Sequence, residues 1–557
     1  MRHIGGSMNR VCPQRSVLSG LFLVFACVMV PLMSQAQSSE ASGASLRFQI
    51  SSPSSVSASP LTGRMFLAIS RKDSVEPRVR VGRYGVQLFG VDFEQLKPGS
   101  PVTIDASTLG YPINHLPELP PGDYTVQAIL NKYTEFKRAD GHTVWMHMDQ
   151  WEGQDWRWSP GNVVSEVRQL TVRKGQEETV TLAVTRVLPP IEVPKDTRWV
   201  KRIKIQSSIL TKFWGQPIYI GATVLLPKGY DEHPSVFYPT LYDQGHFSLA
   251  PPFRFRENGD FYKEWTSEDL PRFIVVTLQH PSPYFDDSYA VNSANNGPYG
   301  DAIHTELIPE IEKQFRCIAK SYARVLTGGS TGGWESFALQ VLYPDFYGGT
   351  WSFAPDPLDF RNVEGINIYK DRNAFYKTHE WYTVPITNTR SPETGEVVLT
   401  SQQRNIMELV HGTKGRSGEQ LDIWSAVFGP VGDDGYFKPL FNKSTGEIDS
   451  TVALYWKEHF DLRNYLQTHW KEIGPRLVGK LHVFCGRMDD FSLNFGVYHT
   501  EEFLESTRDP YYAGSFTYGA RGGHGWRPFT TAQLVRIMAD HITQNAPPGS
   551  DVKSWKY

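Results

Sequence analysis

The sequence predicts an all-β sandwich followed by an α/β domain on a doubly wound, mostly parallel sheet that carries an inserted lid. Three observations predict it. Residues from about 44 to 188 lack long helical periodicity and show short alternating runs between turn signals. From about residue 200 onward, apolar strand-like runs alternate with helix-compatible runs, as a parallel sheet requires of its crossovers. In that second half, a serine flanked by glycines ends a strand-like run and opens a helix-like one.

The chain opens as a secretory signal. Arg2, Arg10 and Arg15 give a basic start, residues 17–33 are almost wholly apolar, and Ser34-Gln35-Ala36 is a small-x-small cleavage site, so 1–36 reads as a signal peptide. Gly20 and Pro31 interrupt the apolar run, which is shorter than the roughly 20 residues that a membrane span needs. No later run is long and apolar enough, so the mature chain is expected to have no span and to be periplasmic or secreted. Residues 38–59 are Ser-rich and read as a flexible start.

The sandwich is expected over 37–190. Met65-Phe-Leu-Ala-Ile, Tyr124-Thr-Val-Gln-Ala-Ile-Leu and Thr179-Val-Thr-Leu-Ala-Val read as strands, and Val180, Leu182 and Val184 fall on one face. Pro120-Pro-Gly-Asp and Arg173-Lys-Gly-Gln are turns between them, and Leu188-Pro-Pro-Ile-Glu-Val-Pro is a stiff boundary. Trp145, Trp151, Trp156 and Trp158 alternate with His147, Asp149, Glu152 and Asp155. Trp151 and Trp156 are candidate substrate contacts on an arm toward the active site. The alternative for this segment is interdomain packing, because Trp buries large area wherever domains meet.

The α/β domain is expected over 191–557. Ile218-Tyr-Ile-Gly-Ala-Thr-Val-Leu-Leu and Phe273-Ile-Val-Val-Thr-Leu read as strands, and Gly349-Thr-Trp-Ser-Phe-Ala follows the helix after the serine. The next strand, Leu481-His-Val-Phe-Cys, lies far beyond the usual connection of about 2–6 residues, so 357–475 reads as a lid over the site.

Ser330 is the centre of Gly328-Gly329-Ser330-Thr331-Gly332. A serine hydroxyl attacks only if it projects from a tight strand-to-helix turn, where flanking side chains would collide with their neighbours. A nucleophilic serine also needs a base to take its proton and an acid to fix the base's tautomer. Gly486-Arg-Met-Asp489-Asp490 follows the Leu481 strand, and Gly522-Gly523-His524-Gly525-Trp526 follows Ser515-Phe-Thr-Tyr. Asp489 and Asp490 both stay open as the acid at this point. Thr331, the residue after the nucleophile, offers a backbone N–H to an oxyanion.

From about residue 215 to 542 the chain resembles the esterase D / feruloyl esterase / enterochelin-esterase group of α/β-hydrolases. The shared pieces beyond the elbow are Tyr238-Pro-Thr-Leu-Tyr-Asp-Gln-Gly-His, Tyr299-Gly-Asp-Ala-Ile-His-Thr-Glu-Leu-Ile-Pro and Gly-Gly-His-Gly-Trp. The resemblance implies Ser330 as nucleophile, His524 as base and the Asp of a G-x-x-D pattern, here Asp489, as acid. It implies an oxyanion-hole amide in the first piece, at His246 or the neighbouring Phe247, with His246 favoured. Asp243-Gln-Gly-His-Phe departs from the commoner His-Gly ending of that piece.

Composition excludes several classes. The formal net charge of −3 and the lack of a Lys/Arg block leave no footprint for nucleic acid. Of four cysteines, Cys12 and Cys27 lie in the leader, so Cys317 and Cys485 are expected as buried thiols rather than a disulfide. No Cys/His spacing suggests a metal site, and no cofactor is expected. The expectation is therefore a secreted or periplasmic serine carboxylesterase, acting through an acyl-enzyme on a small-molecule or glycan-linked ester. Acyl transfer or peptide cleavage on the same triad is the alternative within enzymes, and a ligand-binding protein on a hydrolase fold the alternative outside them.

Overall fold

A computed structural model describes residues 45–72 and 74–557. The expected leader, 1–36, lies outside the described residues, as does part of the Ser-rich stretch.

Residues 45–187 are built almost wholly of strands. They form one ten-stranded sheet whose long members are Leu61–Ser70, Gln87–Leu96, Gly122–Lys137 and Glu177–Val187. In Glu177–Val187, Val180, Leu182 and Val184 are buried and their neighbours are not, as the period-2 pattern predicts. These three join Phe48, Ile50, Met65, Leu67, Ile69, Val126, Ala128 and Leu130 in one core. The strand pairs with Ser45–Ser51 over Glu177–Ala183 and with Val163–Ser165 over Val184–Val187, where the register shifts between Val184 and Arg186.

Leu61–Ser70 is buried on both faces, which simple alternation does not anticipate. Its odd-numbered apolar residues enter the core just described. Phe66 and Ala68 point the other way and pack with Ile129, Trp156, Leu399, Met407 and Val410. The last three belong to the segment expected as a lid, so the β-rich region and that segment share a core.

The second region holds an eight-stranded sheet. Its strands are β1 (Val200–Ser207), β2 (Ile218–Leu225), β3 (Thr240–Gln244), β4 (Ile274–Gln279), β5 (Arg324–Gly329), β6 (Gly349–Phe353), β7 (Leu481–Gly486) and β8 (Ser515–Gly519). The spatial order is β1-β2-β4-β3-β5-β6-β7-β8. Only β2 runs against its neighbours; every pairing from β4 to β8 is parallel. The central strands are buried from end to end, which is why they read as continuous apolar runs. A single cluster of buried side chains unites this sheet with its helices.

Between β6 and β7 lie two short hairpins and four helices. Helix α1 (Thr331–Leu342) follows β5, and the hairpin Thr387–Arg390/Val397–Thr400 leads into α2 (Ser401–His411). Helix α3 (Gln420–Phe428) follows. Helix α4 (Leu462–Leu477) packs beside α1 and feeds β7, as an ordinary crossover helix does. Cys317 and Cys485 are both buried free thiols, as expected. Among the described residues, no helix is long and apolar enough to cross a membrane.

Candidate active site

Ser330 sits between the end of β5 and the start of α1, with φ 59° and ψ −123°. A non-glycine residue in this region is strained, and the strain is held by packing on every side. A Cβ at Gly328 would lie 2.3 Å from the Gly332 carbonyl oxygen, and one at Gly332 would lie 2.1 Å from the Gln244 carbonyl oxygen. The turn therefore closes only with glycine at both positions. The Ser330 N–H donates to the Phe353 carbonyl at 3.0 Å, tying the elbow to the end of β6.

His524 lies in the turn after β8. Its Nδ1 is 2.8 Å from Oδ2 of Asp489, which is fully buried after β7. The other oxygen of Asp489 accepts backbone N–H groups from Phe491 at 2.9 Å and Leu493 at 3.1 Å, so the carboxylate is fixed from both ends. Asp490 does a different job: its Oδ2 accepts the backbone N–H of His524 at 2.6 Å and pins the turn. Burial pulls the His524 imidazole down, but the hydrogen bond and charge of Asp489 outweigh it and hold the ring above the ordinary histidine value.

Ser330 and His524 line one cavity of about 680 Å³, together with Gln244, Gly245, His246, Phe247 and Arg527. Among the described residues, no hydrogen bond joins the two side chains. The Ser330 hydroxyl instead donates to Oδ1 of Asp356 at 3.3 Å. Asp356 is buried in the loop after β6, and sequence reasoning missed it. Its Oδ2 accepts from Tyr289 at 2.5 Å, Thr331 Oγ1 at 3.0 Å, Gln420 at 3.1 Å and Trp424 at 3.3 Å. Burial raises this carboxyl above its ordinary value. Its only signal in the sequence was position, at the end of a strand beside the nucleophile strand.

Of the candidate oxyanion donors, His246 lines this cavity and Thr331 follows Ser330, which lines it. Among the described residues, no acceptor takes the backbone N–H of Thr331 or of His246. Thr331 is the first residue of α1, where N–H groups have no intrahelical partner and the helix dipole favours negative charge. Asp243 lines the same cavity, and burial pushes its carboxyl up to about 6.

Trp151 and Trp156 are both buried and do not line the cavity of Ser330. Trp156 stacks on Phe66 with centroids 4.0 Å apart, inside the core shared with α2. Trp151 meets Phe247 edge-on at 5.2 Å, and Phe247 is itself a wall of the cavity. The segment between β6 and β7 supplies none of the residues that line this cavity. It reaches the site from behind, through Gln420 and Trp424 on Asp356, and through Arg390, whose Nε donates to the Asp489 carbonyl at 2.9 Å.

The structure also joins residues that no local spacing connects. Nδ1 of His246 lies 3.0 Å from Asp286 and 3.1 Å from Asp287, on the loop after β4.

Residues 219–406 match a protein-family model described as "Putative esterase". No curated protein matches the chain. Among solved structures, a ferulic acid esterase matches at 16% identity with a TM-score of 0.34, covering 62% of this chain and 98% of its own. An S-formylglutathione hydrolase from Agrobacterium tumefaciens matches at 13% identity and TM-score 0.33, covering 63% and 97%. A ferulic acid esterase from the anaerobic fungus Anaeromyces mucronatus matches at 15% identity and TM-score 0.29, covering 63% and 96%. The stretch that matches the family described as "Putative esterase", residues 219–406, holds the glycine-flanked Ser330, and the His524 turn lies beyond it.

Proposed function

We propose that this chain is a serine carboxylesterase with Ser330 as nucleophile, His524 as general base and acid, and Asp489 as the residue that fixes the imidazole. The family match supports a hydrolase acting on esters. The observation that carries the finer reading is the pair formed by His524 Nδ1 and the buried Asp489 at 2.8 Å, with His524 lining the cavity of a strained, glycine-flanked serine. An imidazole whose Nδ1–H is held by a carboxylate keeps its Nε2 lone pair for the serine proton.

In the proposed reaction the Ser330 hydroxyl turns from Asp356 toward His524. Oγ attacks the ester carbonyl as Nε2 takes its proton. The oxyanion is met by the N–H groups of Thr331 and His246, each donor being worth roughly 10²–10³ in rate. His524 then protonates the departing alcohol, leaving an acyl group on Ser330. Water repeats the sequence in reverse and releases the acid. Trp151 supports the cavity wall through Phe247, and residues 1–36 act as a leader that directs the chain to the periplasm or out of the cell.

The test is kinetic. Ser330→Ala is expected to lower kcat on a short-chain aryl ester to the level of the uncatalysed reaction plus residual oxyanion binding, with the folded state intact. Retention of more than a percent of wild-type kcat would overturn the assignment.

A further inference from the structure

Two carboxylates, Asp286 and Asp287, converge on the His246 imidazole, and a third, Glu335, lies behind Asp287. The donor atoms of His246, Asp286 and Asp287 all lie within 4.8 Å of one another. Glu335, on α1 and fully buried, turns its carboxylate toward that of Asp287. Among the described residues, neither oxygen of Glu335 has a hydrogen-bond donor. The next candidate donor, Nε2 of His280, is 3.9 Å away and is itself unpaired. A buried carboxylate aimed at another carboxylate is costly unless a proton or a cation sits at the junction, and burial with the neighbouring Asp287 charge pushes the Glu335 carboxyl well above its ordinary value.

The geometry points to a divalent-cation site at His246, Asp286 and Asp287, with Glu335 behind it. The donor set is one imidazole nitrogen and carboxylate oxygens, which suits first-row transition ions better than Ca²⁺. His246 Nδ1 lies within hydrogen-bond distance of both carboxylates, at 3.0 and 3.1 Å, so the three donors are already gathered at one point. Mn²⁺ fits this arrangement, with water completing its shell. His246 and Asp286 are partly exposed, so an ion has a path in. The ion would tie the loop after β3 to the loop after β4 and to α1. A proton on His246 is the competing occupant.

The test is Mn²⁺ binding to the full-length protein, followed by calorimetry and by electron spin resonance. One ion per chain is expected, with affinity falling at least tenfold in Asp286→Asn and in Asp287→Asn. Electron spin-echo modulation from a single imidazole nitrogen is expected on the wild-type complex. Circular dichroism checks that each variant is folded, and the nitrogen modulation stands if neither variant folds. No stoichiometric binding at millimolar Mn²⁺ would overturn the site in favour of protons alone. Binding unchanged in a folded variant, or a bound ion without nitrogen modulation, would overturn it as well.

Discussion

Asp489 and Asp490 are adjacent in the chain and differ in what they hold, which gives the proposed triad its sharpest internal test. Asp489→Asn loses the carboxylate that fixes the His524 tautomer and is expected to lower kcat by about 10³–10⁴. Asp490→Asn keeps an oxygen for the His524 backbone N–H and is expected to cost less than tenfold. Reversed magnitudes in steady-state kinetics would move the acid to Asp490. The base must be neutral to accept a proton, and its folded-state value is raised. kcat/KM is therefore expected to rise with pH through an apparent pKa above the ordinary value of about 6.5, and to be lost below it. A profile flat from pH 5 to 8 contradicts a histidine base. The serine, the histidine and both acids were legible because each stands at a strand end among glycines. Asp356 was not, because what marks it is the five side chains that donate to it, and these come from three separate stretches of sequence.

The segment between β6 and β7 matters as a brace on the site. Within it, Glu408 accepts the backbone N–H groups of Leu421 at 2.9 Å and Asp422 at 3.1 Å, and Lys443 pairs with both Glu408 and Asp422. Both carboxylates are buried, and of the two Arg404 pairs only with Glu408, so Lys443→Met would leave Asp422 facing Glu408 without its own counter-charge. A loss of about 3–5 kcal/mol is expected in denaturant unfolding. A loss below 1 kcal/mol would mean that water screens the cluster. Such a network cannot be read from sequence, where Glu408, Asp422 and Lys443 look like ordinary surface charges. The length of the segment was legible from the missing strand, but the faces it covers were not.

Across the whole molecule, the β-rich region and the α/β region share apolar cores, so they are expected to unfold together. Phe66→Ala removes a fully buried ring stacked on Trp156 and facing α2. It is expected to cost about 3–5 kcal/mol and to lower the temperature of a single transition in scanning calorimetry. Two separated transitions, with only the first one shifted, would show independent domains. The parallel sheet was legible from its buried apolar runs, and the strands of the β-rich region from their alternation, though they join one ten-stranded sheet. The contact between the two regions was hidden because Phe66 and Ala68 look like the solvent side of a strand until α2 covers them. The central claim, that Ser330 is the nucleophile of a working hydrolase, is tested most directly by a fluorophosphonate probe followed by peptide mapping. One adduct per chain is predicted, on the peptide containing Ser330, with activity lost in parallel. An adduct on another serine, or no adduct on folded protein, would contradict the account.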